Sequence, residues 1–175
     1  MSSVQEASIE SIMTSPVFAI RAEMPAMEVL QLAETSGFHH FPLVAHERLV
    51  GLVCTCDLED VEQAAPVMNA VRRPPVAVDA SASGSDVMRR MSDELVGSVL
   101  VVKEGVTVGI VTREDLARAG VAAHAPNFQC DSCGAVSHLR RDEHKGTLCL
   151  DCRSRATPAT REDGISLEDE TGSGD

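Results

Sequence analysis

The chain of 175 residues has no tryptophan, no tyrosine and only four phenylalanines. Single-strand nucleic-acid binding by stacking bases on aromatic rings is therefore excluded. Fifteen Lys and Arg face 27 Asp and Glu, a net charge of -12. That balance argues against a protein that coats DNA, because phosphate binding needs clustered cations. No apolar run approaches the ~20 residues that a membrane-crossing helix needs. Residues 1–8 have neither a basic start nor an apolar core, so no signal peptide is expected, and a cytoplasmic protein without membrane contact is the starting expectation. The hydrophobic share of 43% and charged share of 24% are those of a globular chain. This length suffices for one or two domains that fold without disulfides.

Charge divides the chain into segments. Residues 1–66 carry ten acids and two bases, residues 67–125 seven of each, residues 126–161 four acids and six bases, and residues 162–175 six acids and no base. The last stretch, with two large apolar residues in fourteen, cannot offset its ordering entropy. A disordered acidic tail is expected over 157–175.

The six cysteines also segregate. Cys130, Cys133, Cys149 and Cys152 form C-x2-C-x15-C-x2-C, while Cys54 and Cys56 stand apart as C-x-C. With no secretion signal, the four-cysteine spacing reads as metal ligation before disulfide pairing.

Sliding the sequence against itself gives a register of 58 residues. Gly51-Leu52-Val53-Cys54-Thr55-Cys56-Asp57-Leu58 falls on Gly109-Ile110-Val111-Thr112-Arg113-Glu114-Asp115-Leu116, and Leu43-Val44 falls on Val101-Val102 without a gap. Two copies of one supersecondary unit follow. Each reads β-α-β-β-α. A short strand (17–20; 76–78) precedes an amphipathic helix with Ala26, Val29, Leu30 and Ala33, or Val87, Met88, Met91 and Leu95, at helical spacing. Pro25 suits the start of the first helix and Gly37 its end. Ser83 with Asp86 reads as a capping box on the second. Two strands follow in each copy (40–44 and 49–54; 98–102 and 106–111), and a last helix starts near each Asp-Leu.

The repeat resembles the CBS-domain family in its paired form, the Bateman module, over about residues 8–122. The residues that carry the likeness are Ile12-Met13-Thr14-Ser15-Pro16-Val17, His39-His40-Phe41-Pro42-Leu43-Val44, and the two Gly-apolar-apolar-x-x-x-Asp segments. The likeness implies an α+β fold of tandem repeats, 8–62 and 67–122, packed as a pseudo-twofold pair. It further implies adenosine-containing ligands (AMP, ADP, ATP or S-adenosylmethionine) in clefts between the copies, and homodimers of pairs. In the family the motif Asp accepts hydrogen bonds from ribose and the Thr helps to hold ribose or phosphate. That places Asp57 in the first copy, and Thr112 and Asp115 in the second, as ligand contacts. The chemistry is sound, since a carboxylate is a strong acceptor and a helix N-terminus offers free N–H groups. Thr112-Arg113-Glu114-Asp115 is equally a capping box. Cys54 replaces the family's Thr in the first copy, and a thiol bonds weakly. Glu59, Asp60 and Glu62 surround that copy, whereas Arg72, Arg73 and Arg113 serve the second, so the cleft around Asp115 is expected to be the better anion site. Cys54 reads as a small buried filler and Cys56 as a partly exposed bystander. His39 and His40 read as strand-end packing or ligand lining.

Residues 126–156 resemble a zinc ribbon. Four thiolates make a closed structural site that leaves no open position for catalysis, and Gly134 supplies the freedom that the first knuckle needs. Phe128, Val136, Leu139 and Leu148 are its expected core. So small a core needs metal to fold. His138 and His144 are spare ligands. Arg140, Arg141, Lys145, Arg153 and Arg155 make this the basic segment. The resulting expectation is a non-enzymatic regulatory protein. Its repeats sense an adenosine ligand or hold a homodimer, and its ribbon relays to an unidentified partner in trans. The alternatives are a ligand-free interaction module and a nucleic-acid-binding regulator acting through the ribbon.

Overall fold

A computed structural model of the chain describes residues 8–121, 128–136, 138–142 and 146–156. The expected acidic tail, 157–175, and His144 and Lys145 lie outside the described residues.

The first repeat comprises β1 (Ile20–Arg21), α1 (Ala26–Ser36), β2 (His40–Ala45) and β3 (Arg48–Cys54), and the second β4 (Ala77–Asp79), α2 (Gly84–Asp93), β5 (Ser98–Lys103), β6 (Val106–Thr112) and α3 (Arg113–Arg118). Each forms a three-stranded sheet in chain order, with the first strand parallel and the third antiparallel to the second. The helices lay their apolar stripes on these sheets: Ala26, Val29 and Ala33 from α1, Val87 and Met91 from α2. Pro25 is the residue before α1, and Gly37, at φ 74°, ends it by donating to the Ala33 carbonyl at 2.8 Å. Ser83 caps α2 by accepting from Asp86 N–H at 3.1 Å.

Two elements depart from expectation, and each departure has a local cause. The strand expected over 17–20 is reduced to Ile20–Arg21. Its register, Ile20 on Leu43, sets the preceding position opposite Pro42, which has no N–H to extend the ladder. The matching residue of the second repeat is Leu100, whose N–H donates to the Val76 carbonyl at 2.9 Å, and β4 is one residue longer. The last helix of the first repeat is only a 3-10 turn, Thr55–Leu58. The chain beyond it is committed elsewhere: the carbonyls of Gln63 and Ala65 accept from Met27 and Ala26 N–H, the otherwise unpaired first-turn donors of α1.

The repeats trade their lead-in segments. A 3-10 turn at Ile9–Ser11 precedes the first repeat, yet Ile9 is buried in the second repeat's core. The turn Val67–Ala70 precedes the second repeat, yet Val67 and Ala70 are buried in the first repeat's core. The bonds repeat at the 58-residue offset: Ile9 N–H to Ala82 carbonyl at 2.9 Å, Val67 N–H to Met24 carbonyl at 2.8 Å. The same offset relates the bridge Ser8–Ser83 to the bridge Pro25–Pro66. Two strand glycines make room for the exchange. A Cβ on Gly51 would stand 2.8 Å from Val71 Cγ2, and one on Gly109 would stand 2.8 Å from Met13 Cγ.

Beyond the second repeat, Phe128 returns the chain to that repeat's core, fully buried with Ile9, Val87, Met91 and Leu116. Val136 packs on the same cluster. The four-cysteine segment thus gives up two of its four expected core residues to the repeat beside it. Its own cluster is Cys130, Leu148 and Cys149, with Leu139 and Cys152 against them. It adds a hairpin, β7 (Arg140–Asp142) with β8 (Gly146–Leu148), and a helix, α4 (Leu150–Ala156).

Candidate functional site

The two repeats and the four-cysteine segment enclose a cavity of about 370 Å³. Its wall includes Cys54, Cys56 and Asp57 from the first repeat, Ser98, Thr112, Arg113 and Glu114 from the second, and Val136, His138 and Leu139 from the four-cysteine segment. Arg72 and Arg73, from the linker between the repeats, also face it. Both already have partners: Arg72 lies 3.4 Å from Asp60, and Arg73 donates to the carbonyls of Glu94 and Leu95.

The sequence motifs reach this wall because each strand-to-helix turn is tied back to its own repeat. Thr55 N–H donates to the His39 carbonyl at 2.9 Å, and Arg113 N–H donates to the Gly97 carbonyl at 3.1 Å, bonds related by the repeat offset. The motif carboxylates then close each turn: Asp57 accepts from Cys54 N–H and Asp115 from Thr112 N–H, both at 2.9 Å. The second turn is more fully closed. The Thr112 hydroxyl donates to the Asp115 carboxylate at 2.8 Å and accepts from Asp115 N–H at 3.2 Å, and Arg118 approaches the other carboxylate oxygen at 3.2 Å. Asp115 is buried and is not part of the cavity wall, whereas Asp57, Thr112 and Arg113 are.

Arg113 dominates the electrostatics. Its residue is 5% exposed, and its Nε has no hydrogen-bond partner among the described residues. Burial lowers its pKa to about 10, opposed by the nearby Cys54 and Cys56, so it is still a cation at neutral pH. A buried cation with an idle donor is costly unless an anion or acceptor joins it. His40, packed toward Gly97, is held neutral by burial and by the neighbouring His138, His39 and Arg113, with its pKa lowered to about 4.

The C-x-C pair reverses its expected exposure: Cys56 is buried and Cys54 half-buried. The chain turns at Cys54 into the 3-10 turn, in which Cys56 and Leu58 are the buried residues. The two sulfurs lie 2.8 Å apart. Their hydrogen bond holds the Cys56 thiol down to about 6, helped by His138, and pushes Cys54 up. The His138 pKa is raised by its hydrogen bond to Cys56, against burial. No spacing in the sequence brings His138 to residues 54 and 56. Only the docking of the four-cysteine segment does so, with Arg140 donating to the Cys56 carbonyl at 2.5 Å.

The four remaining cysteines converge as their spacing suggests, with all sulfurs within 4.8 Å of one another and Cys133 and Cys149 at 3.6 Å. A tetrahedron with metal–sulfur bonds of ~2.3 Å has edges of ~3.8 Å, so the thiols fit one tetrahedral ion. The first knuckle closes through Gly134, at φ 77°, whose N–H donates to the Cys130 carbonyl at 2.8 Å. Asp131 braces the two knuckles, its carboxylate accepting from Thr147 N–H at 2.7 Å and its own N–H donating to the Thr147 carbonyl at 2.8 Å.

Comparison with known proteins finds solved structures of the same fold. The CBS domain of a bacterial CNNM/CorC family Mg2+ transporter, in complex with ATP, matches at 24% identity and TM-score 0.58, over 66% of this chain and 88% of its own. The CBS domain pair of protein MJ0100, in complex with 5′-methylthioadenosine and S-adenosyl-L-methionine, matches at 22% identity and TM-score 0.59, over 64% and 94%. Hypoxic Response Protein I, with two coordinated zinc ions, matches at 24% identity and TM-score 0.55, over 64% and 98%. A search of curated proteins finds no match. The CBS domain model matches twice, over residues 9–64 and 67–122, the two units that the 58-residue repeat delimits and more than half of the chain. The protein therefore belongs to the CBS domain family.

Proposed function

We propose that this protein is a non-enzymatic regulator whose CBS pair binds an adenosine-containing ligand in the cavity between the repeats. The observation that carries the reading is Arg113, a buried cation with an idle Nε on the wall of a cavity that also presents the Thr112 hydroxyl and the Asp57 carboxylate. Arg113 and Thr112 suit a phosphate or sulfonium-side carboxylate, and Asp57 suits a ribose diol. Asp115 contributes by fixing Thr112 through the cap. ATP, 5′-methylthioadenosine and S-adenosyl-L-methionine bound to structures of the same fold support this class of ligand. A ligand acts on the pair only through different affinities for two of its arrangements.

The four-cysteine segment is read as a zinc ribbon. Zinc would supply it with folding energy and no open coordination position. Homodimerisation through the CBS pair is the proposed assembly, and Phe18 and Phe38, both exposed with rings 5.9 Å apart, are surface that a second copy would cover. The partner to which the signal passes is a protein in trans. The nucleic-acid alternative is weakened by Arg140, which turns inward to Cys56 and lies 3.8 Å from Asp60.

The test is thermal unfolding of the full chain with AMP, ADP, ATP and S-adenosylmethionine. A ligand present at one hundred times its Kd stabilises by ~2.7 kcal/mol. Arg113→Met should abolish the shift for phosphate-bearing ligands, and Asp57→Asn should weaken every adenosine ligand. No shift with any of the four would sink the reading.

A further inference from the structure

Cys54, Cys56 and His138 bring their ligand atoms within 4.8 Å of one another. They come from two parts of the chain more than eighty residues apart. We propose that they form a second metal site, separate from the four-cysteine site, which takes a zinc-class divalent cation and clamps the four-cysteine segment onto the first CBS repeat.

The ligand set decides the class of ion. Two thiolates and an imidazole suit borderline-soft cations and not magnesium or calcium. The placement holds without the ion, because Arg140, two residues after His138, donates to the Cys56 carbonyl. That bond seats the segment on the turn that carries both thiols. His138 itself stands at φ 52°, in the left-handed region, and its ring lies 5.0 Å from that of His39. A non-glycine residue held there costs about 1 kcal/mol or more and is kept only by its surroundings.

The Cys56 S–H donates to the Cys54 sulfur at 2.8 Å, so the site holds two thiol protons, one of them between the sulfurs. A cation entering the site takes the place of the S–H···S bond, and the sulfurs open by about 1 Å to the edge of a metal–thiolate tetrahedron. Both thiol protons leave to solvent as the metal–sulfur bonds form. No electron changes hands. Cys54, Cys56 and His138 all line the central cavity. The fourth coordination position therefore opens on the cavity, beside Arg113, where a water or an anionic ligand atom completes it.

The site does not rest on the adenosine reading, because the metal count is indifferent to whether a nucleotide binds. The experiment uses the full chain, purified under reductant, stripped with a chelator, and titrated with zinc alone against a chromophoric competitor. Native mass spectrometry counts the ions. The parent chain should take two equivalents and the Cys54→Ser/Cys56→Ser variant one. His138→Ala leaves both thiols in place and should weaken the second equivalent at least tenfold, with the first unchanged. Cobalt in the second equivalent should give a mixed sulfur–nitrogen spectrum that both variants lack. A parent chain that takes one equivalent overturns the proposal. So do variants that keep two at parental affinity, a thiol variant that loses both, or a parent intact mass short by the two hydrogens of a Cys54–Cys56 disulfide.

Discussion

Replacing Phe128 by alanine tests where the four-cysteine segment is anchored. Phe128 is fully buried, and its neighbours Ile9, Val87, Met91 and Leu116 belong to the second CBS repeat. A phenylalanine side chain buries roughly 200 Å², worth about 5 kcal/mol at ~25 cal/mol/Å² as an upper bound. Core Phe→Ala substitutions cost about 3–5 kcal/mol, including the cavity left behind. We expect a loss of about 4 kcal/mol, which in a chain of this size lowers the melting temperature by roughly 10 °C. With no tryptophan or tyrosine to report by fluorescence, the assay is far-UV circular dichroism during chemical denaturation, with metal saturating throughout. Leu148→Ala is the control. Leu148 packs with Cys130 and Cys149, so its loss should lower metal affinity and leave the main transition in place. A Phe128→Ala midpoint within ~1 kcal/mol of the parent would refute the anchoring and return Phe128 to the ribbon's own core.

Gly109→Ala drives a methyl group into Met13, and overpacking of this kind costs about 1–3 kcal/mol. Met13→Ala on the same chain should recover part of that loss in a double-mutant cycle read by denaturation, and strict additivity would refute the contact. Thr112→Ala removes the hydroxyl that accepts from Asp115 N–H, with an expected cost of about 1 kcal/mol by urea midpoint. The equivalent change Cys54→Ala should cost less in the cap, because a thiol is a weak acceptor for the Asp57 N–H and the bond from Cys54 N–H to the Asp57 carboxylate survives it. Chelation of the tetrathiolate metal should unfold β7, β8 and α4 as seen by amide exchange, while β2, β3, β5 and β6 stay protected. Loss of protection in all seven elements would show that the segment is not a separate folding unit.

The duplicated fold was legible because its determinants are local or periodic. The 58-residue register, the apolar stripes of α1 and α2, Gly37 after α1 and Ser83 before α2 each act within a few residues, and each stands where the sequence put it. The four-cysteine cluster was legible for the same reason, since each knuckle is a local turn. Features that depend on distant partners were hidden. The truncation of β1 follows from Pro42 only once the register of β2 is known. Phe128 could not be assigned to the second repeat from its own neighbourhood. The cavity draws the motif carboxylate Asp57 from the first repeat and the motif hydroxyl Thr112 from the second, so reading the motifs copy by copy could not divide Asp57 from Asp115. His138 is the extreme case, because nothing in a string of letters places it beside Cys56.

The traded lead-in turns have a consequence for how the chain is made. Ile9 leaves the ribosome well before the second repeat, yet the pocket that receives it is built from Val87, Val99, Val111 and Leu116. A nascent chain must wait for roughly a hundred further residues, several seconds or more at ordinary synthesis rates, with this hook unhoused. The second lead-in meets no such delay, because the core awaiting Val67 is already complete behind it. The first repeat can thus settle as it emerges, whereas the second closes only when the turn made ahead of the first comes back to it.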